Sequence, residues 1–369
     1  MIQWRSAVIV ATRSGWAGSR EYAAQLPSGE TVRALGYVDV VGELAPGTRV
    51  LLNTTALERG LGTGGLAIIV AAPDDLPEPL ADVRAVPGHL VKARYTPSQT
   101  MVLGVDEQDS EHHAALAEAD DLAGLPVVVA DLHSALPAVL AGVHETAPDL
   151  RVAYVMTDGG ALPIAFSRTV AGLRDAGWLA ASVTVGQAYG GDLEAVNVHT
   201  GLLAARHVVG ADLVVVTQGP GNLGTGTRWG FSGTSAGEAV NAAGVLNGRP
   251  VCALRVSEAD PRERHRGLSH HSSTAYGRVA LVPADVPVPL LPGPFGQRVR
   301  AEARALCEGS DGRLSPYDVS CDGLDAALRE SPVRLSTMGR GHDDDRASFL
   351  ASAVAGRFAA RLLLEEPGT

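Results

Sequence analysis

Two periodicities divide the chain. Over residues 1–72, apolar runs at 7–10, 31–35, 49–52 and 66–70 are separated by Ser28-Gly29, Pro46-Gly47 and the glycines between 60 and 65. Strands this short with glycine turns predict a small barrel or sandwich. Residues 73–124 open on a segment rich in Pro, Asp and Glu and read as linker and hinge. From about residue 125 the pattern lengthens. Largely apolar runs at 127–130, 151–156, 181–185, 213–216 and 251–255 alternate with helical patterns near 134–144, 163–176, 199–209 and 236–246. Strands apolar on both faces, alternating with amphipathic helices, belong to a parallel sheet covered on both sides.

The expected fold class is therefore α/β, a doubly wound, mostly parallel sheet over 125–296 with Rossmann-like or flavodoxin-like winding, preceded by a small all-β barrel-like domain. Strand order is left open. Residues 277–282 are a candidate sixth strand, and the proline-rich 283–294 an extended connector. Residues 297–369 read as a mostly helical segment ending in a helix over 344–364, with Asp343, Asp344 and Asp345 placing acid at its favourable end.

Polar residues follow each run of the α/β region: Asp131, His133 and Ser134; Thr157 and Asp158; Gln187 and Asp192; Gln218; Ser257, Glu258 and Asp260. In a parallel sheet these strand ends share one edge, where such folds hold ligands. The longest is TQGPGNLGTGTRWGFSG, residues 217–233. It has no Gly-Lys-Ser/Thr and follows the fourth strand, so it is neither a Walker loop nor a dinucleotide fingerprint. Its Gly219, Gly221, Asn222, Gly224, Thr225, Gly226 and Thr227 suit a cradle of backbone N–H groups for an anion. Gly233 to Gly237 matches GxSxG, but no strand leads directly into Ser235. With Glu238 it reads better as a capping box than as a nucleophile.

A second cluster is RERHRGLSHHSST, where Arg266, His270 and His271 stand among further arginines and His265. Arginine forks suit a phosphate or carboxylate. No HExxH spacing is present, and adjacent His270 and His271 face opposite ways if extended, so no metal ligand set is assigned. His133 and His271 are the acid/base candidates, with Asp158 as orienting carboxylate. His89, Lys92, Arg94 and Tyr95 form a further basic patch before the α/β region.

Composition narrows the partners. A net charge of −11 disfavours nucleic acid, and the arginines that interrupt the C-terminal apolar stretch argue against a membrane span. The three cysteines include no CxxC pair, and no leader segment is visible at the N-terminus. A cytoplasmic protein acting on a small anionic molecule is expected, with the cofactor unassigned and a homodimer left open.

Several segments together, Leu61 to Gly65, Gly88 to Pro97, Gln218 to Gly233, His270 to Thr274 and Leu335 to Gly341, resemble a bacterial family, domain-of-unknown-function family 3866. The resemblance runs through nearly the whole chain. It implies that the β-rich start and the α/β body belong together, and it carries no activity, cofactor or catalytic residue. The functional expectation is an enzyme of hydrolase or transferase type working at the sheet edge; the alternative is a non-catalytic ligand sensor or interaction scaffold.

Overall fold

A computed structural model describes residues 1–365. The chain forms two compact units, one of Met1–Met101 with Ala165–Ala171, the other of Val102–Ile164 with the chain from Gly172 onward.

The first unit is a closed five-stranded barrel. Its elements are β1 (Trp4–Trp16), β2 (Ser19–Gln25), β3 (Thr31–Tyr37), α1 (Val38–Val41), β4 (Arg49–Asn53), α2 (Thr55–Glu58) and β5 (Ala67–Ala71), with strand order β1-β2-β3-β5-β4 closed by β1 on β4. Closure removes the edges that a sheet of this size would otherwise expose. Ala7, Ile9, Tyr22, Ala24, Leu52 and Ile69 fill the interior. Strand β2 has no matching apolar run, because its inward positions are Tyr22 and Ala24 and alanine is a poor strand signal. In the same unit Trp16 Nε1 and Ser19 Oγ both donate to Ala165 O, at 2.7 and 2.6 Å. Arg33 and Arg168 converge on the buried Glu21. A two-stranded ladder of β6 (Leu90–Lys92) and β7 (Thr100–Val102) follows the barrel along the chain.

The second unit is built on an eight-stranded sheet that is parallel throughout. In chain order it comprises α3 (His113–Leu116), β8 (Pro126–Val129), α4 (Leu136–Thr146), β9 (Val152–Thr157), α5 (Arg168–Asp175, shared with the first unit), β10 (Ala181–Thr184), β11 (Leu193–Glu194), α6 (Val198–His207), β12 (Leu213–Gln218), α7 (Ser235–Val245) and β13 (Arg249–Cys252). A short hairpin of β14 (Val256–Ser257) and β15 (Gly267–Leu268) comes next, then α8 (His270–Thr274), β16 (Ala284–Leu290), α9 (Gly293–Glu308), β17 (Leu314–Ser320), α10 (Leu324–Arg329) and α11 (Arg346–Glu365). The order β11-β10-β9-β12-β8-β13-β16-β17 inserts β12 between the first two strands, a winding that no local pattern announces.

Alternate residues of the strands serve opposite faces. Val127, Val129, Val214 and Val216 pack with Leu202 of α6 and Ala239 and Val240 of α7. Val128 and Val215, also fully buried, point to the face of α4 and α11. There the helices nearly touch backbone to backbone. A Cβ on Gly142 would stand 1.9 Å from Ala353 O, and one on Gly356 the same distance from Val139 O. Helix α11 is the one described helix long and apolar enough to cross a membrane; 67% of its apolar window is buried inside this packing.

Two expectations are corrected. Residues 277–282 are not a strand: Ala275–Val279 is a π-helical turn, and the strand that follows β13 in the sheet is β16, within the segment read as a connector. Its prolines misled. Ala284 N donates to Arg313 O on the β17 side, so Pro287 and Pro289 have their nitrogens on the β13 side. There the pairing ends at Val251 and Asp285, and no ladder donor is needed. The C-terminal segment also adds a strand, β17, paired with β16 along its whole length.

Candidate functional site

The switch point of the winding lies between β8 and β12, whose following helices α4 and α7 cover opposite faces. Open α/β sheets carry their ligand crevice at such a point. Here the two strand ends are tied together. Gln218 Nε2 donates to Asp131 O at 2.7 Å and to Asn222 Oδ1 at 3.0 Å. Thr157 Oγ1 and Gln218 Oε1, register partners at the ends of β9 and β12, are buried without a hydrogen-bond partner. Two such orphans side by side are expensive in a finished core and expected where a ligand or water completes the site.

Asp131 is the centre of the polar cluster. It is 4% exposed, and its Oδ2 lies 2.9 Å from His271 Nδ1 and 3.3 Å from Arg255 Nη1. Burial pushes its carboxyl up, but the Arg255 charge and the hydrogen bonds from His271 and Arg255 outweigh that and hold it below the usual carboxylate range. Arg255 Nη1 also lies 2.9 Å from His271 Nδ1. In the tautomer that satisfies Asp131, His271 Nδ1–H donates to the carboxylate and Arg255 bonds the same oxygen. The Phe231 ring, at the end of the glycine loop, stacks on His271 at 3.7 Å and 10°. Beside Asp131, Ser134, Arg255 and Thr337 line a cavity of about 20 Å³, room for about one water.

The glycine loop is ordered by its own bonds. Gly224 bridges to Phe231, Thr225 N donates to Gly230 O at 2.7 Å, Gly230 N to Thr227 Oγ1 at 3.1 Å, and Ser232 Oγ to Asn222 Oδ1 at 3.1 Å. The N–H groups of Gly221, Asn222, Gly224 and Gly226 make no hydrogen bond among the described residues. Gly219 has to be glycine because a Cβ would stand 2.4 Å from Ala161 O. Arg264 Nη2 reaches the loop, 3.8 Å from where a Cβ of Gly226 would be. From there Arg264, Arg266, His270, Arg278 and Arg298 line a groove of about 560 Å³. Arg298 is paired with Glu302 and Glu263, but Arg264, Arg266 and Arg278 have no carboxylate partner among the described residues.

Other expected residues lie elsewhere in this edge. His133 is buried behind the loop, with Nδ1 3.0 Å from Tyr154 Oη; Tyr154 Oη is 2.8 Å from Thr217 Oγ1, and the Gln218 backbone also bonds His133. Burial lowers its pKa to about 4. Asp158 Oδ2 accepts from Gln187 N at 2.8 Å. The carboxylate that orients His271 is Asp131, which the sequence marked only as a strand-end polar residue. Ser235 forms no capping box: it lies inside α7 and its Oγ donates to Ser232 O. Asp345 stands directly before α11. It accepts from Ser257 Oγ and Glu258 N and meets Arg340, which also reaches Asp260. Arg262 comes first among the groups that hold Asp260 well below the ordinary carboxylate range. The C-terminal Thr337 to Gly341 segment is thereby bonded to the cluster's surroundings, since Ser134 Oγ also donates to Thr337 Oγ1 at 3.1 Å. His89, Lys92, Arg94 and Tyr95 belong to the first unit, where Lys92 is buried and Tyr95 exposed.

A barrel unit joined to a parallel α/β unit with a charged cluster at its switch point is the architecture these observations define. Residues 33–356 match the family model described as a protein of unknown function, DUF3866, and the chain belongs to that family. The match spans both units. No curated protein and no solved structure matches the chain.

Proposed function

We propose that the chain binds a small anionic metabolite at the carboxyl edge of the parallel sheet and acts on it as a hydrolase or transferase. The observation that carries this reading is the groove in which Arg264, Arg266 and Arg278 stand without carboxylate partners beside His270, next to the Asp131–His271 pair. Unpaired guanidinium groups near free loop N–H groups favour phosphate or carboxylate. An imidazole whose Nδ1–H is held by a carboxylate presents its Nε2 as an acceptor, the arrangement needed for proton transfer at a reacting group.

Titration calorimetry with inorganic phosphate and a panel of small phosphorylated and carboxylated compounds tests the binding. Arg264→Ala and Arg266→Ala are each expected to weaken it about 10-fold or more, since a hydrogen bond to a charged group contributes about 1.5–3 kcal/mol. Unchanged affinity in both would sink the reading. One observation favours a ligand sensor instead. His271 is only 4% exposed and covered by Phe231, so it is poorly placed to reach substrate unless the loop moves. Turnover of any compound that binds, lost in His271→Gln, decides for the enzyme; saturable binding with no product decides for the sensor.

A further inference from the structure

His265, His270 and His271 come together although they arise from two elements. His265 precedes β15, while His270 and His271 open α8, where consecutive side chains diverge by about 100° rather than pointing to opposite faces. The expectation that His270 and His271 face opposite ways supposed an extended backbone, and the backbone here is helical. The ring centroids form a near-equilateral triangle of 4.9, 4.9 and 4.6 Å. One ring nitrogen of each lies within 4.8 Å of the other two.

We propose that these three histidines form a binding site for a divalent transition metal of the zinc type, with three protein nitrogens and an open fourth position. Two further observations point the same way. His265 Nδ1 lies 2.7 Å from Ser269 Oγ and His271 Nδ1 2.9 Å from Asp131 Oδ2; in the tautomers whose Nδ1–H donates to these oxygens, Nε2 of each is the lone-pair donor. A carboxylate behind a histidine is the second-sphere arrangement that fixes ligand tautomer and raises ligand basicity. His270 Nε2 is buried without a hydrogen-bond partner.

Imidazole donors suit zinc, cobalt, iron, nickel and copper, and exclude a calcium- or magnesium-type site. Tetrahedral ligands at about 2.0–2.1 Å from zinc stand roughly 3.3 Å apart, so small side-chain rotations close the observed triangle. The neighbouring Arg255 and Arg264 oppose a bare dication, which makes an anion the natural fourth ligand. The proposal rests on the anion-site reading in that respect and takes the place of the proton-transfer role of His271, whose Nε2 cannot hold an ion and accept a proton at once; it is tested separately.

The full-length protein, stripped with chelator and dialysed, is titrated with Co²⁺ alone, with visible absorption as readout. One equivalent taken up with the intense bands of a four- or five-coordinate ion, displaced by Zn²⁺, is the expected result. His270→Ala, the most exposed of the three, is expected to lower the affinity at least about 100-fold, and Asp131→Asn about 10- to 100-fold. His199→Ala, an exposed histidine of α6 outside the cluster, leaves metal affinity within about 3-fold. Absence of saturable Co²⁺ uptake by the wild type overturns the proposal. So does undiminished uptake by both His270→Ala and His265→Ala when circular dichroism shows them folded. Phosphate titration of the metal-free protein reads the anion site by itself, so either idea can fail while the other stands.

Discussion

The histidine behind the glycine loop makes the stability of the α/β unit depend on pH in a way that one substitution isolates. His133 is buried against Tyr154, and burial lowers its pKa from 6.5 to about 4. The unfolded chain therefore binds a proton at this residue between those values while the folded chain does not. The neutral ring's contribution is complete above pH 6.5 and is lost as pH falls toward 4. At about 1.36 kcal/mol per pH unit the full loss is roughly 3 kcal/mol, and about 2 kcal/mol of it falls between pH 7 and pH 5. His133→Gln keeps an amide that can reach Tyr154 Oη and the Gln218 backbone but cannot titrate. Urea unfolding of both proteins at pH 7 and pH 5, followed by circular dichroism, cancels every titration they share. The wild type should lose about 2 kcal/mol more than His133→Gln over that interval. Equal losses in the two proteins would refute the assignment of His133 as a neutral buried ring.

Further outcomes follow from the same geometry. Gly142→Ala places a methyl group against Ala353 O of α11 and should cost about 1–3 kcal/mol or more in urea unfolding, since the backbone cannot give way locally. Asp131→Asn leaves the nearly buried Arg255 without its carboxylate; a loss of about 3–5 kcal/mol is expected by the same assay. Arg264→Ala, which has no carboxylate to lose, should unfold within about 0.5 kcal/mol of the wild type. Burial pushes the thiols up, Cys307 and Cys321 to about 11, so iodoacetamide at pH 8 should label the native protein slowly and the urea-unfolded protein fast.

The doubly wound sheet and the barrel were legible because their signals are local. Runs such as Leu213 to Val216 are too apolar to be half-exposed, and the glycine turns of the first 72 residues mark off successive strands, although β1 (Trp4–Trp16) runs well beyond its apolar stretch. What was not legible depends on neighbours in space. The insertion of β12 between β8 and β9 is a tertiary choice. Strand β16 was hidden by Pro287 and Pro289, whose missing donors matter only if a partner strand lies on that side. In the site, the glycine loop and the Arg/His segment were readable from composition. Their partners were not: Asp131 gains its role from His271, 140 positions away, and Arg255 looked like the end of a strand. The pairing of His270 with His271 turned on helical rather than extended backbone, which five residues of sequence do not decide.

The central claim is that the unpaired arginines beside the Asp131–His271 pair form an anion site. Calorimetric titration of inorganic phosphate into the wild type and the Arg264→Ala/Arg266→Ala double variant tests it most directly. Saturable one-site binding by the wild type, weakened at least about 100-fold in the double variant, is the predicted result. Equal heats in the two proteins, or no binding by the wild type to phosphate or to any anion of the panel, would contradict it.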